Sequence, residues 1–287
     1  MELLKNRALS SFSTFRVGGK CDNLWLPENE DDLRYLWDSS SNSFNYIIAN
    51  GSNILIDDSR TYSDVICTKK LKNTEIVCLE NGKYCVGAGV LLKDLINRIN
   101  NDGKGGIEYL WSVPGTVGGA TVMNAGRGEV FNQKISDYIE CVNVFYRGKL
   151  LVLKKQECDY SYRSSIFLKN KDMIILSVIM SFEEMNRDKS EMLKKDRMQL
   201  VNKIQDNTYP NMGSIFKKCS IPIMKMLQDL EKDDNNISFS KKTYNWLINK
   251  NNGTYKEARK KIDDAISIHK ILGETIELEI VDWGAQM

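Results

Sequence analysis

Residues 111–126, Trp-Ser-Val-Pro-Gly-Thr-Val-Gly-Gly-Ala-Thr-Val-Met-Asn-Ala-Gly, decide how the rest of this chain reads. Gly115, Gly118, Gly119 and Gly126 lie in a segment with no charged side chain. Its backbone N–H groups can approach a ligand closely, and phosphate is the usual recipient. The same glycines also permit tight packing of a strand or turn with no ligand at all, and the residues alone leave both readings open. Neither common glycine fingerprint is present. No Gly-Lys-Ser/Thr follows, which excludes an ATP-type P-loop. No Gly-x-Gly-x-x-Gly opens a helix with an acidic residue further on, so a Rossmann dinucleotide site is unsupported.

Upstream, the order is strand, helix, strand. Asn23 to Leu26 is short and apolar, Glu28 to Trp37 sets Leu33, Leu36 and Trp37 on one helical face, and Asn45 to Ala49 is a buried-type run. Asn50-Gly51-Ser52-Asn53 then turns the chain into Ile54-Leu55-Ile56. Around the glycine segment, residues 64–181 read mainly as strands: Val65 to Cys67, Glu75 to Leu79, Tyr84 to Ala88, Ile139 to Tyr146, Leu150 to Lys154 and Met173 to Ser181. Only Leu91 to Asn100 reads clearly as a helix there. Beyond Phe182, Glu183 to Gln205 predicts a long, charged helix that bridges units. Helices near 222–231 and 254–272 follow, and a last strand spans Thr275 to Val281. The fold class is therefore α+β.

Forty basic and 38 acidic residues leave a net charge of +2, which gives no electrostatic case for nucleic acid or an anionic membrane. The N-terminal residues predict no signal peptide, and no apolar run is long enough to predict a membrane span. The seven cysteines are scattered without a Cys-x-x-Cys pair, as expected of reduced cytosolic thiols. Asn81-Gly82 reads as a hairpin turn placing Cys78 opposite Cys85. No metal site is expected, and the single His269 removes histidine-based triads and multi-histidine metal sites.

Three further segments are candidates for chemistry. Tyr160-Ser-Tyr-Arg-Ser-Ser-Ile-Phe167 sets Arg163 among aromatics and hydroxyls, either as a rigid fork for a carboxylate or as a surface arginine stacked on tyrosine. Tyr209-Pro-Asn-Met-Gly-Ser-Ile-Phe-Lys217 exposes Ser214 after Gly213, either as a turn serine or as a donor of one proton; no histidine could make it a nucleophile. Glu277 and Glu279 alternate onto one face of a strand, where water is their ordinary neighbour.

Taken in order, these segments resemble the UDP-N-acetylenolpyruvoylglucosamine reductase (MurB) family. Ser13-Thr-Phe-Arg-Val-Gly-Gly19 is similar to its N-terminal signature, and Asn50, Gly51, Ser52 and Asn53 to its flavin pyrophosphate loop. Val86 to Val90 and Pro114 to Gly126 are similar to its second flavin-binding lobe, with Gly115, Thr116, Gly118, Gly119, Ala120, Asn124 and Gly126 as the cofactor-binding positions. The segments holding Arg163, Ser214 and Glu279 match those that carry its catalytic arginine, serine and glutamate.

The resemblance implies a two-lobed FAD-binding unit of the vanillyl-alcohol-oxidase/PCMH type and a smaller C-terminal α+β substrate domain. Residues 1–63, joined by 280–287, form the first lobe, 64–182 the second, and 183–279 the substrate domain. It implies non-covalent FAD, NADPH as reductant and a UDP-sugar enolpyruvyl ether as substrate, in the cytoplasm, with Tyr162, Lys217 and Asn245 at the substrate. The oligomeric state is left open. The chain departs from the usual family pattern at Ala49-Asn50, where glycines are common, at Lys218-Cys219, where Asn-Pro is common, and across 219–249. Those departures keep two alternatives in play: a related FAD reductase for another enol ether or unsaturated acid, and a catalytically idle flavin-binding protein.

Overall fold

The computed structural model describes residues 1–39, 43–71, 75–128, 131–232 and 235–285. The chain divides into two units. The first comprises Met1–Leu4, Leu24–Asn50 and Asp64–Leu200; the second comprises Lys5–Asn23, Gly51–Ser63 and Val201–Met287. Its helices are α1 (Glu30–Ser39), α2 (Leu92–Asn101), α3 (Val117–Val122), α4 (Ile166–Lys169), α5 (Arg187–Ile204), α6 (Ile221–Asp229) and α7 (Tyr255–Ile271). The α+β class expected from the sequence is what the structure has.

The first unit is organised by an antiparallel five-stranded sheet. Its order is Lys149–Lys154, Ile139–Tyr146, Met173–Ser181, Lys83–Gly87, Ile76–Cys78. The strands alternate, so each face needs cover. Leu92, Leu95, Ile96 and Ile99 recur at helical spacing on α2 and bury against Tyr84, Val86, Val142, Val144, Val178 and Met180. The opposite face sets Phe145 and Ile174 against Leu33, Leu36 and Trp37 of α1. Trp37 and Phe44 meet edge to face at 5.3 Å, a geometry favoured by the ring quadrupoles.

The second unit is built on a three-stranded sheet, Asn211–Ser214, Trp246–Asn249, Ile237–Phe239. Ile223, Met224 and Leu227 of α6 and Ala258, Ile262 and Ala265 of α7 pack on it. Two short ribbons belong to the same unit: Phe216–Lys218 with Glu277–Leu278, and Ile54–Leu55 in parallel with Val281–Asp282.

Several expectations change in detail. The turn Glu80–Gly82 is a three-residue helical turn with both Asn81 and Gly82 at positive φ. The register is therefore displaced by one, and Val77, not Cys78, faces Cys85. All seven cysteines are free thiols. The long charged helix starts only at Arg187, because Glu183–Glu184 pairs with Lys104–Gly105 as a short strand. The predicted strand 275–281 breaks at Glu279, so Glu277 and Glu279 do not share one continuous strand face. Between 64 and 181, α3 and α4 join α2. Each is short, and each is started by a side-chain cap, from Thr116 and Ser165 respectively.

Candidate active site

The glycine segment belongs to the first unit, and its N–H groups are largely spent inside the protein. Val117 N–H donates to Val90 O at 2.8 Å, Gly118 N–H to Ala88 O at 2.9 Å, and Gly119 N–H to the Thr116 hydroxyl at 3.2 Å. Thr116, Gly118 and Ala120 are buried. The glycines therefore differ in purpose. A Cβ on Gly118 would lie 2.8 Å from that of Ala88, and one on Gly126 would lie 2.2 Å from Gln133 O. Close packing explains both. Gly115 and Gly119 are partly exposed, have no positive φ, and would leave an added Cβ at least 3.4 Å from its neighbours. Neither turn geometry nor crowding accounts for their bareness. The packing reading thus holds for half of the segment, and an open backbone surface remains at the other half. Asn50 adjoins that surface, donating from Nδ2 to Pro114 O at 2.7 Å.

Arg163 lies in the same unit on a tight turn closed by reciprocal bonds between Ser161 and Ser164 (3.1 and 3.2 Å). Its φ of +52° is unfavourable for an L-residue and is imposed by that turn. Its Nη2 donates to Gly126 O at 2.9 Å, and the guanidinium stands 5.7 Å from the Tyr162 ring centre. Asn124 is buried and gives its amide to Ser161 O at 2.9 Å, and Ser165 Oγ donates to Val122 O at 2.6 Å. The arginine turn and the glycine segment are consequently one hydrogen-bonded assembly. Tyr109 adds a group the sequence did not flag. Its hydroxyl is buried without a hydrogen-bond partner among the described residues. Burial, reinforced by Tyr138 and Asp137, pushes its pKa up against an opposing pull from Arg163.

Gly51, Ser52, Asn53, Ser214, Lys217, Asn245 and Glu279 belong to the second unit. Ser214 ends its strand opposite Trp246, after Gly213 at φ +77°. Asn245 brackets the next turn: its carbonyl accepts from Ile215 N–H at 3.0 Å, its Oδ1 from Phe216 N–H at 3.1 Å, and its Nδ2 donates to Phe216 O at 2.7 Å. The amide thus holds backbone. Glu279 N–H donates to Ile215 O at 2.8 Å, and Asn53 Nδ2 donates to Glu279 O at 3.1 Å. The glutamate is thereby fixed beside the serine turn. Lys217 pairs with Glu277 at 3.1 Å. Thr14, whose part was not visible in the sequence, donates from its hydroxyl to Asn211 O at 2.7 Å and from its N–H to Gly51 O at 3.0 Å. Gly51 is itself forced to be glycine, with φ +65° and an added Cβ 2.0 Å from Phe12 O. Ser52 is partly exposed in the same loop.

His269 is fully buried in α7; Ser220 N–H donates to its Nε2 at 3.0 Å, and Nδ1 lies 2.7 Å from Ala265 O. It is a packing histidine. Among the described residues no cluster of three or more His, Cys, Asp or Glu could hold a metal, and no helix is long and apolar enough to cross a membrane.

Residues 22–153 match the family described as FAD binding domain. The UDP-N-acetylenolpyruvoylglucosamine reductase of Carboxydothermus hydrogenoformans is 34% identical over 261 residues, covering 86% of this chain and 82% of that protein. The one from Thermosipho melanesiensis is 28% identical over 286 residues, covering 97% and 94%. The crystal structure of the reductase from Thermus caldophilus superposes with a TM-score of 0.78 at 24% identity over 99% of each chain, so the fold is shared.

Proposed function

The chain belongs to the UDP-N-acetylenolpyruvoylglucosamine reductase family, and on that premise we propose that it uses NADPH and non-covalent FAD to reduce the enolpyruvyl ether of its UDP-sugar to UDP-N-acetylmuramate, in the cytoplasm. Bound FAD supplies the hydride relay between nicotinamide and enol ether. The residues present fit the cofactor: Asn50, Gly115 and Gly119 would hold it, since the two glycines leave an open backbone surface that a side chain would fill. Gly51, Ser52 and Asn53 are the further cofactor-binding positions, on their similarity to the family's flavin pyrophosphate loop. Thr116, Gly118, Ala120, Asn124 and Gly126 support that surface from behind.

Reduction of the enol ether puts negative charge on the carbon beside the carboxylate. Arg163 holds a fixed cation for that charge, already oriented by its bond to Gly126 O, so no reorganisation is needed as the charge develops. Ser214 then gives a proton to that carbon. A serine is a weak acid, and Glu279, tethered through Ile215 O, belongs to the network that assists it. Tyr162 and Lys217 contact the substrate, while Asn245 keeps the serine turn in shape. Residues 1–63 with 280–287, 64–182 and 183–279 serve as two cofactor lobes and a substrate domain. The parallel pairing of Ile54–Leu55 with Val281–Asp282 supports the joining of the C-terminus to the first of these.

The observation that supports this reading is the backbone bond from Glu279 N–H to Ile215 O, which sets Glu279 beside the residue that follows Ser214. Arg163→Met tests it. Reoxidation of reduced enzyme by the UDP-sugar should slow by about 100- to 1,000-fold, the effect of losing a fixed donor at developing charge. An unchanged rate would remove Arg163 from the mechanism.

A further inference from the structure

The reductase reading leaves one cluster of charge unused. In the first unit, Trp111 and Ser112 lead into the glycine segment, and Lys194, Lys93 and Arg197 gather on them. Lys194 of α5, buried, sets its amine 4.8 Å from the centre of the Trp111 ring, and Lys93 sets its own 5.5 Å from the same centre. Less than one turn further along α5, Arg197 Nε donates to Ser112 Oγ at 2.9 Å. Arg127, directly after Gly126, lies 4.0 Å over the Phe131 ring. Lys194 is matched by Glu191 at 2.6 Å. Among the described residues, no carboxylate pairs with Arg127 or Arg197.

Arg197 is partly buried, and that burial, followed by the like charge of Arg127, holds its pKa below the usual value. A lysine so placed could shed its proton, but an arginine keeps its charge. Two guanidinium groups that repel each other in a partly dry place are costly until an anion arrives. The geometry prepares for one. With Nε spent on Ser112, the terminal nitrogens of Arg197 keep the paired donors that suit a tetrahedral oxyanion. Ser112 Oγ accepts from Arg197 and still has its own hydrogen to donate.

We propose that Arg127, Arg197 and the Ser112 hydroxyl form a phosphate-binding subsite that receives a phosphoryl group of a nucleotide substrate. It rests on the reductase reading only for the source of that group, which is either the 2′-phosphate of NADPH or the diphosphate of the UDP-sugar. Lys93 and Lys194 add positive potential, and Lys194 fixes the Trp111-Ser112 loop.

The probe is inorganic pyrophosphate, titrated calorimetrically at low salt into FAD-loaded protein so that the cofactor's own diphosphate position is filled. Wild type should bind it, and R127Q and R197Q should each weaken binding by about tenfold or more, as expected for charge-assisted bonds. R197K, which keeps the charge but loses the fork, should fall between; it also guards against an unfolded R197Q. A KM for NADPH that rises in both variants while the KM for NADH stays fixed would assign the 2′-phosphate. A rise for the UDP-sugar alone would assign its diphosphate. Folded variants that bind pyrophosphate as wild type does, or a wild type that does not bind it, would overturn the subsite. Pyrophosphate binding is measured without turnover, so its failure would leave the reductase reading untouched. Loss of pyrophosphate binding in variants of a protein that reduces no sugar would fault the reductase reading and keep the subsite.

Discussion

The two units carry their candidate groups in opposite ways. In the first, the bonds that shape the site are also bonds that hold the fold: Gly126 packs on Gln133 O and accepts Arg163, and Asn124 links α3 to the arginine turn. In the second, Ser214 and Lys217 lie on short, bulged strands and Glu279 follows one, their order kept by backbone contacts and by Asn245. Changes at Gly118, Asn124 and Gly126 should therefore cost stability and cofactor together, whereas changes at Ser214, Lys217 and Glu279 should cost chemistry alone.

Ser214→Ala puts the largest effect on that contrast. Sugar reduction should fall by about 100- to 10,000-fold, the range for a lost proton donor, with FAD content, melting temperature and flavin reduction by NADPH unchanged. Rapid-mixing spectroscopy of the two half-reactions checks it, and equal loss in both halves would break the contrast. Next comes Gly126→Ala, whose Cβ would press on Gln133 O at 2.2 Å. We expect about 1–3 kcal/mol of destabilisation by denaturant titration, as for an overpacked site, with weaker FAD retention. Gly118→Ala, against Ala88, should behave alike but more mildly.

Gly119→Ala sharpens the comparison within α3 itself. An added methyl has room, and alanine favours a helix by about 1 kcal/mol over glycine. Stability should hold or rise while the FAD dissociation constant increases. An unchanged FAD affinity would mean that the open surface is not the cofactor's.

The smallest effect is expected at Asp206 in the second unit. Burial raises its carboxyl, but hydrogen bonds from the Ser240 hydroxyl at 2.7 Å and Thr208 N–H at 3.1 Å outweigh burial and leave its pKa below the ordinary range. A depressed carboxyl contributes stability above its unfolded pKa and loses it as pH falls through the folded value. Asp206→Asn should therefore lower the melting temperature slightly at pH 7, with the gap closing below about pH 4. A gap that widens on acidification would contradict the assignment.

What the sequence disclosed follows the same division. Ile139–Tyr146, Met173–Ser181 and α2 were legible because β-branched runs and the Leu92, Leu95, Ile96, Ile99 spacing are strong local signals. The glycine segment announced itself, yet composition could not separate Gly118, which packs, from Gly119, which faces outward; that needs the position of Ala88. α3 was missed because two glycines in six residues erase its helical signal, leaving only the Thr116 cap. In the second unit, Ser214 and Glu279 stood out as candidates, but a turn serine and a solvated glutamate are locally ordinary, and only the family resemblance favoured a role in chemistry. The backbone duty of Asn245 and the tether from Asn53 to Glu279 O join residues distant in sequence, and no local pattern encodes them.

The central claim is that this chain binds FAD and uses it to reduce the enolpyruvyl ether of a UDP-sugar. Anaerobic absorption spectroscopy of the purified protein tests it most directly. We expect a yellow protein with one FAD per chain, bleached by NADPH and restored by the UDP-sugar enolpyruvyl ether. Folded protein that stays colourless in excess FAD would contradict the account.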